Sequence, residues 1–237
     1  MQLYGCYKQK KPKINKYYLG NEELDKKDMV KYLGITIDHK LTFAQHIKQK
    51  CKNATTVLNL LKRNLHFAPK SVKRKAYTSC VLPIIEYASN CWSPTSDKSN
   101  HEVEMVQHNA ARFISNIYHK KGEFKNTSIT KILKDLNLET LEERRIQSRL
   151  IMAYKILNEK VILESNLLPK FLTTRPRQCQ SANVGLENQL VEPQPRLQVT
   201  GHTFFYSIPT IWNQRISKQQ ANAPSVDSFK NHFRRTK

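Results

Sequence analysis

The sequence is short of glycine, of acidic residues, of paired cysteines and of long apolar runs, and each shortage removes a class of function. Six glycines in 237 residues leave no G-x-x-x-x-G-K phosphate-cradling loop and no G-x-S-x-G nucleophile elbow. Asp occurs six times, at Asp25, Asp28, Asp38, Asp97, Asp135 and Asp227, and no two are adjacent. Two-metal chemistry needs carboxylates held a few ångströms apart, so no catalytic residue is assigned. Cys6, Cys51, Cys80, Cys91 and Cys179 are odd in number and include no C-x-x-C pair. That excludes a zinc ribbon or disulfide framework and points to reduced thiols. The run from His101 to His108 resembles H-E-x-x-H in outline, but Met105 stands at the second ligand position, so no metal site is expected. No apolar run reaches membrane-spanning length, and there is no signal-peptide core. The expectation is a soluble intracellular chain, nuclear or cytoplasmic, neither secreted nor membrane-bound.

Positive charge is what the chain has in excess. Forty Lys and Arg against nineteen Asp and Glu give +21, more than solubility requires and the mark of a polyanionic partner. The excess is local. Between Asp38 and Glu86 lie ten basic residues and no acidic one.

The same region carries the clearest helices. Thr42 with Gln45 has the form of a capping box, and Phe43, Ile47, Cys51, Ala54, Leu58, Leu61 and Leu65 follow at helical steps. Lys48, Lys52, Lys62 and Arg63 lie on the other face of this helix. A second helix is expected from Pro69 to Trp92, with Lys70, Lys73, Arg74 and Lys75 at its start and Val72, Ala76, Cys80, Ile84, Tyr87, Ala88 and Cys91 in its stripe. Cations at a helix N-terminus oppose the macrodipole, and a bound phosphate would relieve them. Pro83 should kink this helix. Glu86, a lone carboxylate in an apolar segment, needs a base, and Arg112 on the next helix is the expected partner.

Around these two helices the chain reads as mainly α. Residues 3–38 suggest a small antiparallel β unit, with a turn at Gly20-Asn21 and a strand from Val30 to Ile37. Residues 101–118 form an amphipathic helix that Gly122 closes, with Val103, Val106, Ala110, Phe113 and Ile117 inward. Ser128 to Leu136 is a short helix, and Thr140 caps a longer one with Ile146, Leu150, Ala153 and Leu157 inside and Arg144, Arg145 and Arg149 elsewhere. Prolines then punctuate a polar stretch. Gly201 to Asn213 suggests a strand and turn, and Ser225 caps a last helix with Val226, Phe229 and Phe233 inward and Arg234 and Arg235 at its end.

Several segments resemble a known family in order. LPIIEYASNCWSP (Leu82 to Pro94), downstream of KYLGITID (Lys31 to Asp38), resembles the region after the polymerase palm in non-LTR, LINE-type, jockey-like retrotransposon reverse transcriptases. EMVQHNAARFI (Glu104 to Ile114), LETLEERRIQSRL (Leu138 to Leu150), FFYSIPTIWN (Phe204 to Asn213) and SVDSFKNHF (Ser225 to Phe233) follow in the family's order. The resemblance implies a β remnant of the palm at 1–38, a basic thumb-like helical domain at 39–159, an irregular linker at 160–200 and an aromatic turn and helix at 201–237. It implies nucleic acid as partner, held by backbone contacts through Lys48, Lys52, Lys62, Arg63, Lys70, Lys73, Arg74 and Lys75. No cofactor is expected here, since Mg²⁺ would belong to the palm. A basic helical protein-interaction module and a non-functional relic are the alternatives that the residues leave open.

One consequence is chemical. Offered primed RNA, four deoxynucleotides and Mg²⁺, the purified chain should give no primer extension. Extension abolished by Asp25→Asn with Asp28→Asn would show that the chain catalyses after all.

Overall fold

A computed structural model describes residues 16–25, 27–117, 128–163, 188–193 and 203–235. The expectations at 3–15, from His119 to Gly122, over most of 160–200, and for the side chains of Arg234 and Arg235 lie outside the described residues. The protein is mainly α, with small antiparallel β hairpins in front.

The first hairpin pairs β1 (Tyr18–Leu19) with β2 (Glu22–Glu23) around the Gly20-Asn21 turn. The strand expected from Val30 to Ile37 is folded in two. Leu33 (φ 45°) and Gly34 (φ 79°) make a left-handed turn between β3 (Met29–Tyr32) and β4 (Ile35–Asp38). Two positive φ values in a two-residue loop suit the twist of a hairpin. Gly34 has a second reason to be glycine, because a Cβ there would stand 3.4 Å from the Tyr87 ring.

Asp38 joins this hairpin to the helices. Its carboxylate accepts from the Lys40, Thr42 and Phe43 amides at 2.9, 3.2 and 2.8 Å and from the Thr42 hydroxyl at 3.0 Å. Partial burial raises its pKa, but these bonds outweigh that and hold it below the ordinary value. They also replace the expected capping box. The helix α1 (Ala44–Asn64) starts after a left-handed Phe43 that makes no side-chain cap, with the Thr42 hydroxyl accepting from the Ala44 amide at 3.4 Å.

The helix expected from Pro69 to Trp92 is three pieces: α2 (Lys70–Ala76), a π-helical turn (Tyr77–Val81) and α3 (Leu82–Glu86). The cause is Pro83. It has no N–H for the Ser79 carbonyl, and its ring would collide with that oxygen. The backbone widens instead, with the Leu82 amide donating to Tyr77 O. The buried set is Lys73, Tyr77, Val81, Leu82, Ile85, Ser89 and Trp92, one position along from the expected stripe on both sides of that turn. Val72 is 44% exposed, and Cys80 and Cys91 are free, exposed thiols.

Helix α4 (Asp97–Ile114) begins at Ser96, whose hydroxyl accepts from the Ser99 amide, and buries Val103, Val106, Ala110 and Phe113. It stops before Gly122. Asn116 takes the left-handed conformation (φ 57°), and the Ile117 amide returns to Arg112 O at 2.9 Å. Asn137 (φ 51°) ends α5 (Ile129–Asp135) in the same way. Helix α6 (Leu141–Leu157) is capped by Thr140, as expected.

The aromatic segment expected as strand and turn is a helix, α7 (Phe204–Arg215). Ser207 turns its hydroxyl back to the Thr203 carbonyl at 2.8 Å. Pro209 has no N–H to offer the Phe205 carbonyl, and Phe205 is an exposed residue. A single turn, α8 (Lys218–Ala221), and α9 (Val226–Arg235) follow. Within the stretch expected as linker, Leu190 is fully buried, its backbone gripped at both polar atoms by the Asn213 amide (2.8 and 2.9 Å).

Two main cores result. The first gathers Ile47, Leu58, Tyr77, Ile85, Trp92, Phe113 and Leu141, and the second Leu150, Tyr154, Leu190, Trp212 and Phe229. Helix α6 contributes to both. No helix among the described residues is long and apolar enough to cross a membrane.

His46 ties hairpin, α1 and first core together. Its Nδ1 accepts from the Thr36 amide at 3.2 Å, and its ring stands edge-on to Trp92 at 5.4 Å. Burial, then the charge of Lys50, lowers its pKa. A histidine held neutral in the fold loses stability as pH falls below its unfolded value, about 6.5. Denaturant midpoints measured between pH 7.5 and 5 should therefore fall with pH, and His46→Asn, which keeps an acceptor for Thr36, should flatten that slope. An unchanged slope in this variant would remove His46 as its source.

Candidate nucleic-acid interface

The basic face is built on α1 and α2. On α1 the inward stripe is Ile47, Ala54 and Leu58, with Cys51 and Leu61 partly covered. Helical spacing puts Lys48, Lys52, Lys62 and Arg63 around the opposite side. Lys48, Lys52 and Arg63 are exposed and Lys62 is half-buried, its pKa lowered by desolvation. The row runs about 22 Å along the axis from Lys48 to Arg63. The acid-free stretch of sequence means that no carboxylate of α1 or α2 interrupts it.

On α2 the expected cations divide. Lys70, Arg74 and Lys75 are exposed, and Arg74 reaches the Asn137 carbonyl at 3.4 Å. Lys73 is fully buried. Its ammonium donates to the His66 carbonyl at 2.7 Å and to the Asn116 side chain, and it lies over the Phe113 ring at 5.0 Å. Lys73 is therefore a tie between α2 and the end of α4, and its ammonium is spoken for. The reason is register: helical steps put it in line with Tyr77 and Val81.

Glu86 likewise has another partner than the one expected. Its carboxylate receives both Nε and Nη2 of Arg144 on α6, the second at 3.0 Å, while Arg112 makes a 3.5 Å contact with Asn109. The Glu86 bond, ahead of opposing desolvation, raises the Arg144 pKa. Helix α3 carries Glu86 toward α6, which the sequence placed too far along the chain to suggest. Glu104 was also missed. Its two oxygens accept the Leu141 and Glu142 amides at 3.2 and 2.8 Å, so a carboxylate of α4 caps α6. Glu143 pairs with Arg215 of α7 at 2.6 and 2.8 Å.

Arg145 and Arg149 are the other correction, since both are buried. They follow Leu141 and precede Ala153 at steps of four, a spacing that marks them as part of the buried stripe. Cys51, beneath them on α1, has its pKa pushed up to about 11 by burial and then by Glu102, with Arg145 opposing. Among the described residues no cluster of His, Cys, Asp and Glu is placed to hold a metal.

Two known proteins are similar to this chain in sequence. A probable RNA-directed DNA polymerase from transposon BS of Drosophila melanogaster is 30% identical over 150 residues, which are 62% of this chain and 16% of that protein. The chain resembles part of a transposon RNA-directed DNA polymerase. An uncharacterized protein of Caenorhabditis elegans is 27% identical over 126 residues, 53% of this chain and 62% of that one. The chain thus spans less than two thirds of either relative. No family model matches it, and no solved structure matches it significantly.

The Glu86–Arg144 assignment makes a prediction. Both side chains are about one-third exposed, so solvent screening should hold their coupling near 1 kcal/mol in a double-mutant cycle of Glu86→Gln and Arg144→Gln. Arg112→Gln should couple to Glu86→Gln by less than about 0.3 kcal/mol. The reverse ranking in urea melts would restore Arg112 as the partner.

Proposed function

We propose that this chain is a nucleic-acid-holding helical portion of a transposon reverse transcriptase of the non-LTR type, without the catalytic palm. It grips a template–primer duplex or element RNA through phosphates and reads little or no sequence. The observation that carries the reading is the uninterrupted row on α1 and α2: Lys48, Lys52, Lys62, Arg63, Lys70, Arg74 and Lys75 with no carboxylate among them. Unpaired cations cost little on a solvated face and become productive when a polyanion displaces their counterions. The similarity to a transposon polymerase supplies the class of polyanion.

The hairpins fit the same reading. Tyr18, Leu19, Met29, Val30, Tyr32 and Leu33 are each at least half exposed, an apolar surface that strands of a palm would cover. Mg²⁺ would be held by that palm rather than by this chain.

Filter binding against salt tests the proposal. About five phosphate contacts imply log K falling with log salt at a slope of about −4 to −5 on duplex DNA. Lys48→Ala with Lys52→Ala should flatten the slope by about one to two units, equally for unrelated sequences. Lys73→Met should lower stability and leave the slope of the folded protein unchanged. Absence of binding at 50 mM salt, or a slope near zero, would favour the protein-interaction module instead.

A further inference from the structure

A second basic site lies on other elements, at the seam between the two cores. The segment before α4, the α4 N-terminus, α6 and α7 enclose a pocket of about 290 Å³. Arg145 and Arg149 line it from α6, Ser207 from α7, and Ser93, Thr95 and Asn100 from the α4 side. Both arginines are over nine-tenths buried, at 5% and 6% exposure. Arg145 donates through Nη2 to Asn100 Oδ1 at 2.6 Å, while its Nη1 is buried with no hydrogen-bond partner. No carboxylate among the described residues stands within ion-pair distance of it. Arg149 donates through Nη1 to Ser207 Oγ at 3.0 Å.

We propose that this pocket binds a phosphate ester, with the Arg145 guanidinium as its principal contact and Arg149 and the pocket hydroxyls around it. A buried guanidinium with an unfilled donor is costly unless an anion completes it. Arginine forks match the oxygens of phosphate in pairs, and the N-terminus of the 18-residue α4 adds a positive dipole end. Asp97 and Glu142 also line the pocket, but both are exposed residues, and Glu142 is engaged with Asn100 Nδ2 at 3.4 Å. Ile146, Ile211 and Pro94 form an apolar wall, so there is room for the organic group that the phosphate carries. Burial depresses the pKa of both arginines; for Arg149 the charge of Arg145 adds to it, while for Arg145 the carboxylates of Glu104 and Glu142, beyond ion-pair distance, oppose it. The inference is independent of the lysine row, because none of these residues lies on α1 or α2.

Phosphate esters reach such a site either free, as a nucleoside monophosphate, or as the terminal phosphate of a strand. The full chain is melted in rising inorganic phosphate against sodium chloride of equal ionic strength. A saturable rise in Tm in phosphate alone is expected. Asn100→Asp sets a carboxylate against Arg145, so this variant should melt higher without phosphate and bind phosphate at least tenfold more weakly. Arg145→Lys keeps the charge and loses the fork, and should weaken phosphate about tenfold. If Arg145→Lys fails to fold, Asn100→Asp still decides. Adenosine monophosphate and two strands of one sequence, 5′-phosphorylated and 5′-hydroxyl, then separate the sources. A preference for the phosphorylated strand assigns a strand end, and stabilisation by the monophosphate without that preference assigns a free ester. No phosphate effect beyond matched salt, or an Asn100→Asp protein that responds like its parent, overturns the proposal.

Discussion

The missing N–H of Pro83 governs how the first core is assembled. A regular helix through that point would drive the pyrrolidine ring into the Ser79 carbonyl. The π-helical turn at Tyr77–Val81 avoids the collision by adding one residue to the turn. Upstream of it the inward position is Lys73, within it Tyr77 and Val81, and downstream Ile85, Ser89 and Trp92. Tyr77 then sends its hydroxyl to Gln107 Oε1 at 3.0 Å, and Gln107 reaches the Glu139 carbonyl at 2.7 Å. Through that relay the turn fixes where α4 meets the approach to α6. Trp92 closes the same core and packs on His46, which anchors the hairpin.

How much of this was legible follows from the same physics. Helices with one apolar stripe and a polar remainder, such as α4 and α9, announce both their existence and their inward face. The stretch from Ala76 to Ile85 is uncharged and mostly apolar, so several stripes fit equally well, and the one chosen was a position out. Lys73 misled for a related reason. A lysine in a helical pattern is taken as solvated, yet its long stem packs in the core while its head finds the His66 carbonyl and Asn116. In α7, aromatic and β-branched residues around Pro209 imitate a strand, and burial of Ile208 and Trp212 on one side of a helix overrides that propensity. Hairpin turns and caps were partly readable: Gly20-Asn21 and Thr140 were, whereas the Leu33-Gly34 turn hid inside a β-branched run.

Scarcity of glycine shows in how the helices end. Asn116 and Asn137 occupy the left-handed cap positions of α4 and α5 that glycine usually fills. Asparagine tolerates that conformation and brings an amide that glycine lacks. At Asn116 the amide is used, because its oxygen receives the Lys73 ammonium. One residue thereby both terminates α4 and neutralises the polarity of the only buried lysine among the described residues.

Scarcity of acid has a parallel consequence. Several of the few carboxylates sit at junctions between elements: Asp38 between β4 and α1, Glu86 between α3 and α6, Glu104 between α4 and α6, Glu143 between α6 and α7. Held there, they are not arranged along α1 and α2, and the cations on those helices have no local counter-charge. The fold therefore segregates its charges, with acids joining elements inside the body and bases left on a face. Arg145 is the exception that fixes the meaning of the pattern. It is a base carried into the interior with no carboxylate at ion-pair distance among the described residues and one guanidinium nitrogen unbonded, and on that departure from the pattern the proposed phosphate site rests.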